Sequence, residues 1–104
     1  MDVNDLVPVL PCPIDNSGRI RLPRKWVGNT TKVFFVMTRD PLRVVIMNMG
    51  PRDWLDGFAF EHKVDPKGRV SVPKVLRDEL DRRFQALYLQ YVDYNTLEVV
   101  GETP

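Results

Sequence analysis

Val64-Asp65-Pro66-Lys67-Gly68-Arg69-Val70-Ser71-Val72-Pro73-Lys74 is matched, 50 residues earlier, by Ile14-Asp15-Asn16-Ser17-Gly18-Arg19-Ile20-Arg21-Leu22-Pro23-Arg24. Asp, Gly, Arg and Pro are identical, and the apolar positions and the cation after Pro match in type. Asp-Pro-Lys-Gly suits a type I turn, with Asp first, Pro second and Gly last. The Asp carboxylate can accept backbone N–H groups within the turn, and Gly supplies the positive φ of a G1 bulge. Asp15, Gly18, Asp65 and Gly68 are therefore assigned to turn structure. Strict alternation follows each Gly: Ile20 and Leu22, or Val70 and Val72, share one face, and Arg19 and Arg21, or Arg69 and Ser71, the other. The expectation is a short strand that packs its aliphatic face on a core and turns its arginines to water.

Working outward, each Pro ends its strand and suits the start of a helix. Residues 73–80 predict a helix with Val75, Leu76 and Leu80 on one face, whereas Pro23 to Asn29 supports about one turn before Gly28 stops it. Two-strand hairpins follow: Val33–Val36 with Val44–Ile46, turning at Asp40-Pro41, and Leu87–Tyr91 with Val99-Val100, turning at Asp93-Tyr94-Asn95. These later stretches are offset by about 53, so the second copy carries a few extra residues after its Pro. Residues 58–63 read as the entering strand of the second copy, and residues 1–11 show no clear period. The division is repeat one at about 12–48, a connector with a short central helix at about 49–57, and repeat two at about 58–100. A unit of this size cannot bury all its apolar strand faces alone, but two can interleave. The expected fold is mainly β with short helices, a single domain over residues 1–104 in which two tandem repeats close one β-barrel and remove exposed edges.

Charge adds to this. The net charge is +1, with 28% charged residues, but the distribution is uneven. Residues 14–25 carry Arg19, Arg21, Arg24 and Lys25 against Asp15 alone, and residues 62–77 carry Lys63, Lys67, Arg69, Lys74 and Arg77 against Asp65 alone. Residues 78–104 are acidic. Short charge clusters are usually solvated surface; here both occupy the same place in the repeat, which favours a shared function. The single Cys12 allows no internal disulfide and, with His62 far away in sequence, no metal site. No cofactor is expected. No apolar run approaches a membrane span and residues 1–13 do not read as a signal peptide, so the protein is expected in the cytoplasm. No nucleophile–base pair or glycine-rich phosphate loop is evident, which argues against an enzyme and a small-molecule substrate.

Residues 64–77, Val-Asp-Pro-Lys-Gly-Arg-Val-Ser-Val-Pro-Lys-Val-Leu-Arg, resemble the signature of the AbrB/SpoVT superfamily, and two Asp-x-x-x-Arg motifs in one chain look most like MraZ. The resemblance is specific over about 35 residues of the second copy and weaker in the first. It implies an AbrB-like swapped-hairpin β-barrel and a transcriptional regulator that binds double-stranded DNA, associated with the nucleoid, with homo-oligomerisation left open. By residue type, Arg19 and Arg69 fall on the motif arginine, Arg77 on a basic helix position, and Lys63 on the basic position before the turn. Copy one departs at Val27, where a second helix arginine is expected, and at Pro13, where copy two has Lys63. The candidate DNA-binding residues are Arg19, Arg21, Arg24, Lys25, Lys63, Lys67, Arg69, Lys74 and Arg77. The arginine fork suits base edges, and Arg21, Arg24, Lys25, Lys67 and Lys74 suit phosphates. Two alternatives stay open: Asp15–Arg19 and Asp65–Arg69 as ion pairs that lock the turns, and an antitoxin-like or other protein-interaction module without direct DNA readout.

Overall fold

A computed structural model describes residues 9–38, 42–48 and 58–103. The Asp40-Pro41 turn and the connector at 49–57 lie outside the described residues. Eight strands and two helices occur among them: β1 (Val9–Pro11), β2 (Arg19–Arg21), α1 (Arg24–Val27), β3 (Lys32–Thr38), β4 (Arg43–Met47), β5 (Phe58–Lys63), β6 (Arg69–Ser71), α2 (Lys74–Arg83), β7 (Ala86–Asp93) and β8 (Thr96–Glu102). The protein is mainly β with short helices, as the alternating pattern predicts. No helix among the described residues is long and apolar enough to cross a membrane.

The strands form one antiparallel sheet in the order β1-β7-β8-β4-β3-β5 and a separate β2-β6 pair. Exchanging β1 with β5, β2 with β6, β3 with β7 and β4 with β8 leaves both orders unchanged. The registers centre on the same exchange. Ile20 lies opposite Val70, and Val45 opposite Glu98. Outside the β3–β4 and β7–β8 hairpins, β2–β6, β3–β5 and β4–β8 each join the first stretch to the second, and β1, just before the first stretch, pairs with β7.

Hydrogen bonds repeat the symmetry. Leu22 N–H donates to Gly68 O at 2.9 Å, and Val72 N–H to Gly18 O at 2.9 Å. Gly18 and Gly68 have φ of 77° and 79°, the left-handed conformation that a Cβ disfavours.

The expected closed barrel is not formed. The six-stranded ladder ends at β1 and β5, and an isolated bridge between Val64 and Val70 is the link from β5 toward the β2-β6 pair. The cause is local. β2 and β6 are three residues long, each cut short one residue later by Pro23 or Pro73, which have no N–H to extend a ladder. Proline is equally limiting beside β1, where Pro11 ends the strand and Pro13 follows. β1 itself is an addition to the sequence reading, because three exposed residues are too few to show a period.

Ile20, Leu22, Val70 and Val72 are buried, each at 4% exposure or less, as the alternation predicts. They join Phe35, Ile46, Leu76, Leu80, Leu89 and Leu97 in the core. Cys12 is enclosed there too, and burial pushes its thiol up to about 12. β3 and β4 bury more than one face: the cross-strand partners Val36 and Val45 are buried along with Phe35, Met37, Val44 and Ile46.

The helices differ as their sequences differ. Gly28, at φ 48°, ends α1 after four residues. Leu76 and Leu80 anchor α2 over ten residues, and Glu79 pairs with Arg82 and Arg83 on its outer side. Val75, expected on the buried face, is 40% exposed. It is one step of about 100° from Leu76, enough to carry it off the stripe.

This connectivity has a direct test. Residues 58–104 alone contain one complete hairpin, β7-β8, and leave β5 and β6 without their ladder partners. That fragment is expected to be unfolded or dimeric by circular dichroism and light scattering. A folded monomer would contradict the interleaved pairing.

Candidate nucleic-acid interface

The β2-β6 pair and its two turns carry Arg19, Arg21, Lys67 and Arg69, four of the nine candidate residues. Asp15 Oδ1 accepts the N–H groups of Ser17 at 2.8 Å and Arg19 at 3.0 Å. Asp65 Oδ1 accepts those of Lys67 at 2.9 Å and Arg69 at 2.8 Å. In each turn the glycine N–H donates to the aspartate carbonyl at 2.9 Å. These N–H bonds, with that from the motif arginine foremost, hold both carboxyls below their ordinary value of 3.8. Burial opposes the shift and is outweighed.

The arginines are less open to water than the alternation alone suggests. Arg69 Nε donates to Asp65 Oδ2 at 2.9 Å. Arg19 lies 3.7 Å from Asp15 through Nε and 3.8 Å from Asp65 through Nη1. Asp65 thus ties the two turns to each other. The side chains of Arg19 and Arg69 are 32% and 27% exposed. The expectation of freely water-facing arginines is corrected to half-buried, ion-paired ones. The cause is tertiary: the paired strands bring the second repeat's aspartate beside the first repeat's arginine. The pairing engages Nε of Arg69 and leaves its outer guanidinium nitrogens without a hydrogen bond among the described residues.

Register explains which cations are committed. Arg21 lies opposite Arg69, and Lys32 opposite Lys63. Like charges directly opposite repel. In each pair one member turns to an acid: Arg69 to Asp65, and Lys32 to Glu61 at 3.4 Å. Lys74 is also taken, by Asp78 at 3.3 Å. Among the described residues Arg21, Arg24, Lys25, Lys63, Lys67 and Arg77 have no carboxylate within ion-pair distance.

Arg77 shows where the repeats diverge. Its guanidinium lies over Gly18, so that a Cβ built on that glycine would sit 2.9 Å from Arg77 Cζ. Its Nε is buried with no protein hydrogen-bond partner. A Cβ built on the matching glycine, Gly68, would meet Cγ1 of Val27, the residue aligned with Arg77, at an ordinary 3.9 Å. Beside Val27 and Gly68 is a cleft of about 800 Å³ that includes Arg21, Arg24 and Lys67 in its walls. Sequence reading missed this cleft, although the missing arginine at Val27 was its signal. Lys25, Lys63 and Lys74 do not line it, and lie on α1, the end of β5 and α2.

No family model, curated protein or solved structure matches the chain.

The aspartates make stability acid-sensitive. A carboxyl with a lowered folded-state pKa contributes stability that is fully present above its unfolded value. The contribution is lost as pH falls through the folded value. Melting temperature is therefore expected to fall as pH drops below the ordinary carboxyl value of 3.8. Asp15→Asn with Asp65→Asn keeps an acceptor oxygen at each turn and removes the charge, and should flatten that fall. Part remains through Glu79, lowered by Arg82 and Arg83. An unchanged pH dependence in the double variant would show that the turn carboxylates do not carry it.

Proposed function

We propose that this chain is a double-stranded DNA-binding regulator of the AbrB/MraZ type, built from two interleaved tandem swapped hairpins. The observation that carries the reading is the symmetric β2-β6 pair. Around it stand two capped turns, two arginines beside carboxylates and, among the described residues, several cations without acidic partners. Arg19 and Arg69 act as readers. An aspartate oxygen orients the Arg69 guanidinium through Nε, as a supporting shell fixes a functional side chain, whereas Arg19 is held by charge alone, 3.7 Å from Asp15 and 3.8 Å from Asp65. The outer nitrogens of Arg69 then offer a fork to the two acceptors of a guanine edge, and Arg19 turns to DNA by exchanging its longer Asp65 contact. Arg21, Arg24, Lys25, Lys63 and Lys67 set position on the phosphates. Lys74 reaches a phosphate by exchanging its exposed partner Asp78, a weak surface pair. The twofold arrangement suits a repeated or partly palindromic site.

Arg77 breaks the equality of the two halves. It adds a cation over the Gly18 turn, whereas Val27 adds none over the Gly68 turn. The half-site under the Gly18 turn is bound more tightly in consequence.

Salt-dependent titrations with duplex DNA separate these roles. Arg69→Ala and Arg19→Ala should cost about 1–3 kcal/mol of affinity and relax sequence preference. Lys67→Ala should weaken all sequences alike and lower the salt slope by about one. Arg77→Ala should make the two half-sites more nearly equal. A parent protein that binds no duplex at low salt would overturn the reading in favour of a protein-interaction module.

A further inference from the structure

The cleft beside Gly68 exists because the repeats are unequal. Over Gly18 the corresponding space is taken by the Arg77 side chain, and α2 continues for ten residues. Over Gly68 stands the shorter Val27, and α1 stops at Gly28 after four. A Cβ built on Gly28 meets nothing within 4 Å. The space left is about 800 Å³, within the usual range for small-molecule sites.

Its lining has two characters. Leu10, Pro23 and Val64 supply an apolar part, backed by the buried Leu22, Val27 and Leu89. Arg21, Arg24 and Lys67 supply three cations that have no acidic partner among the described residues. The acid in the wall is Asp65, and both of its oxygens are engaged: Oδ1 by the Lys67 and Arg69 N–H groups, Oδ2 by Arg69 and Arg19. The cations are thus left for a ligand. Apolar surface beside concentrated positive charge selects a molecule with a hydrophobic body and an anionic head.

We infer that this cleft is a binding site for a small amphiphilic organic anion, such as an aryl or alkyl phosphate or carboxylate. Its head lies among Arg21, Arg24 and Lys67, and its body lies against Leu10, Pro23 and Val64. The binding stands on the cleft alone. Its consequence rests on the DNA reading: the same three cations serve the phosphates, so an occupied cleft competes with duplex DNA. The ligand is then an effector rather than a substrate.

The test uses the full chain and 1-naphthyl phosphate, with inorganic phosphate (head alone) and 2-naphthol (body alone) as comparisons. Calorimetry should show one saturable site for 1-naphthyl phosphate, at least about tenfold tighter than for either comparison. Amide shifts in the unmodified protein should concentrate at residues 21–31 and 64–68, a readout that needs no variant to fold. Lys67→Glu, which reverses a head contact, and Thr31→Trp, which fills the cleft from an exposed position, should each weaken binding at least about tenfold. Shifts elsewhere, no saturable binding, equal binding of either comparison compound, or folded variants that bind as the parent does would overturn the site. Duplex titrations with and without 1-naphthyl phosphate keep the two readings apart. Ligand binding without any duplex binding removes the DNA reading and leaves the site standing. Duplex binding without ligand binding removes the site alone.

Discussion

Two backbone hydrogen bonds, Leu22 N–H to Gly68 O and Val72 N–H to Gly18 O, hold the turn of each repeat against the strand of the other. The ladder between them is only three residues long on each side, so these ties add materially to it. They depend on glycines at positive φ, and on aspartates that cap the turn from inside. With the ties in place, Ile20 and Val70 meet on the core side and the arginines on the other. The pairing of β1 with β7, β5 with β3 and β4 with β8 follows the same exchange between repeats.

Charge placement follows from that geometry. Crossing the repeats brings Asp65 between Arg69 and Arg19, and puts Arg21 opposite Arg69. A nearly neutral chain thereby separates its cations into two groups. One group is oriented by carboxylates and held at half exposure. The other, with Arg21, Lys67 and Arg77, has no acid at hand among the described residues. Oriented forks beside unpaired cations are what sequence-dependent and sequence-independent contacts to a charged duplex each require. The departure from symmetry at Val27 then leaves a cleft where its counterpart Arg77 covers the turn.

Much of this was legible because it is local. The repeat, the turn aspartates, the positive φ at Gly18 and Gly68, and the buried faces of β2 and β6 are written in adjacent residues with a period of two. The stop of α1 at Gly28 was equally plain. What escaped the sequence was set by contacts between distant segments. Arg19 meets Asp65 only after the strands have crossed, so alternation placed it too far into water. β1 is three exposed residues without a pattern, and closure of the barrel failed where short strands run into Pro23 and Pro73. Val75 illustrates a finer limit, since a single helical step separates a buried position from an exposed one. The cleft required knowing that Val27 and Arg77 occupy matching places over different turns.

The central claim is that the crossed turns present oriented arginines to DNA. It is tested most directly by selecting bound sequences from a pool of random duplex DNA, with light scattering on the same sample to fix the stoichiometry. The account predicts an enriched motif with two related half-sites, one of them more strongly constrained. It also predicts that enrichment disappears when Arg19 and Arg69 are both replaced by alanine in a chain that still melts cooperatively. A pool that returns no motif, or one enriched equally by the parent and the double variant, would contradict it.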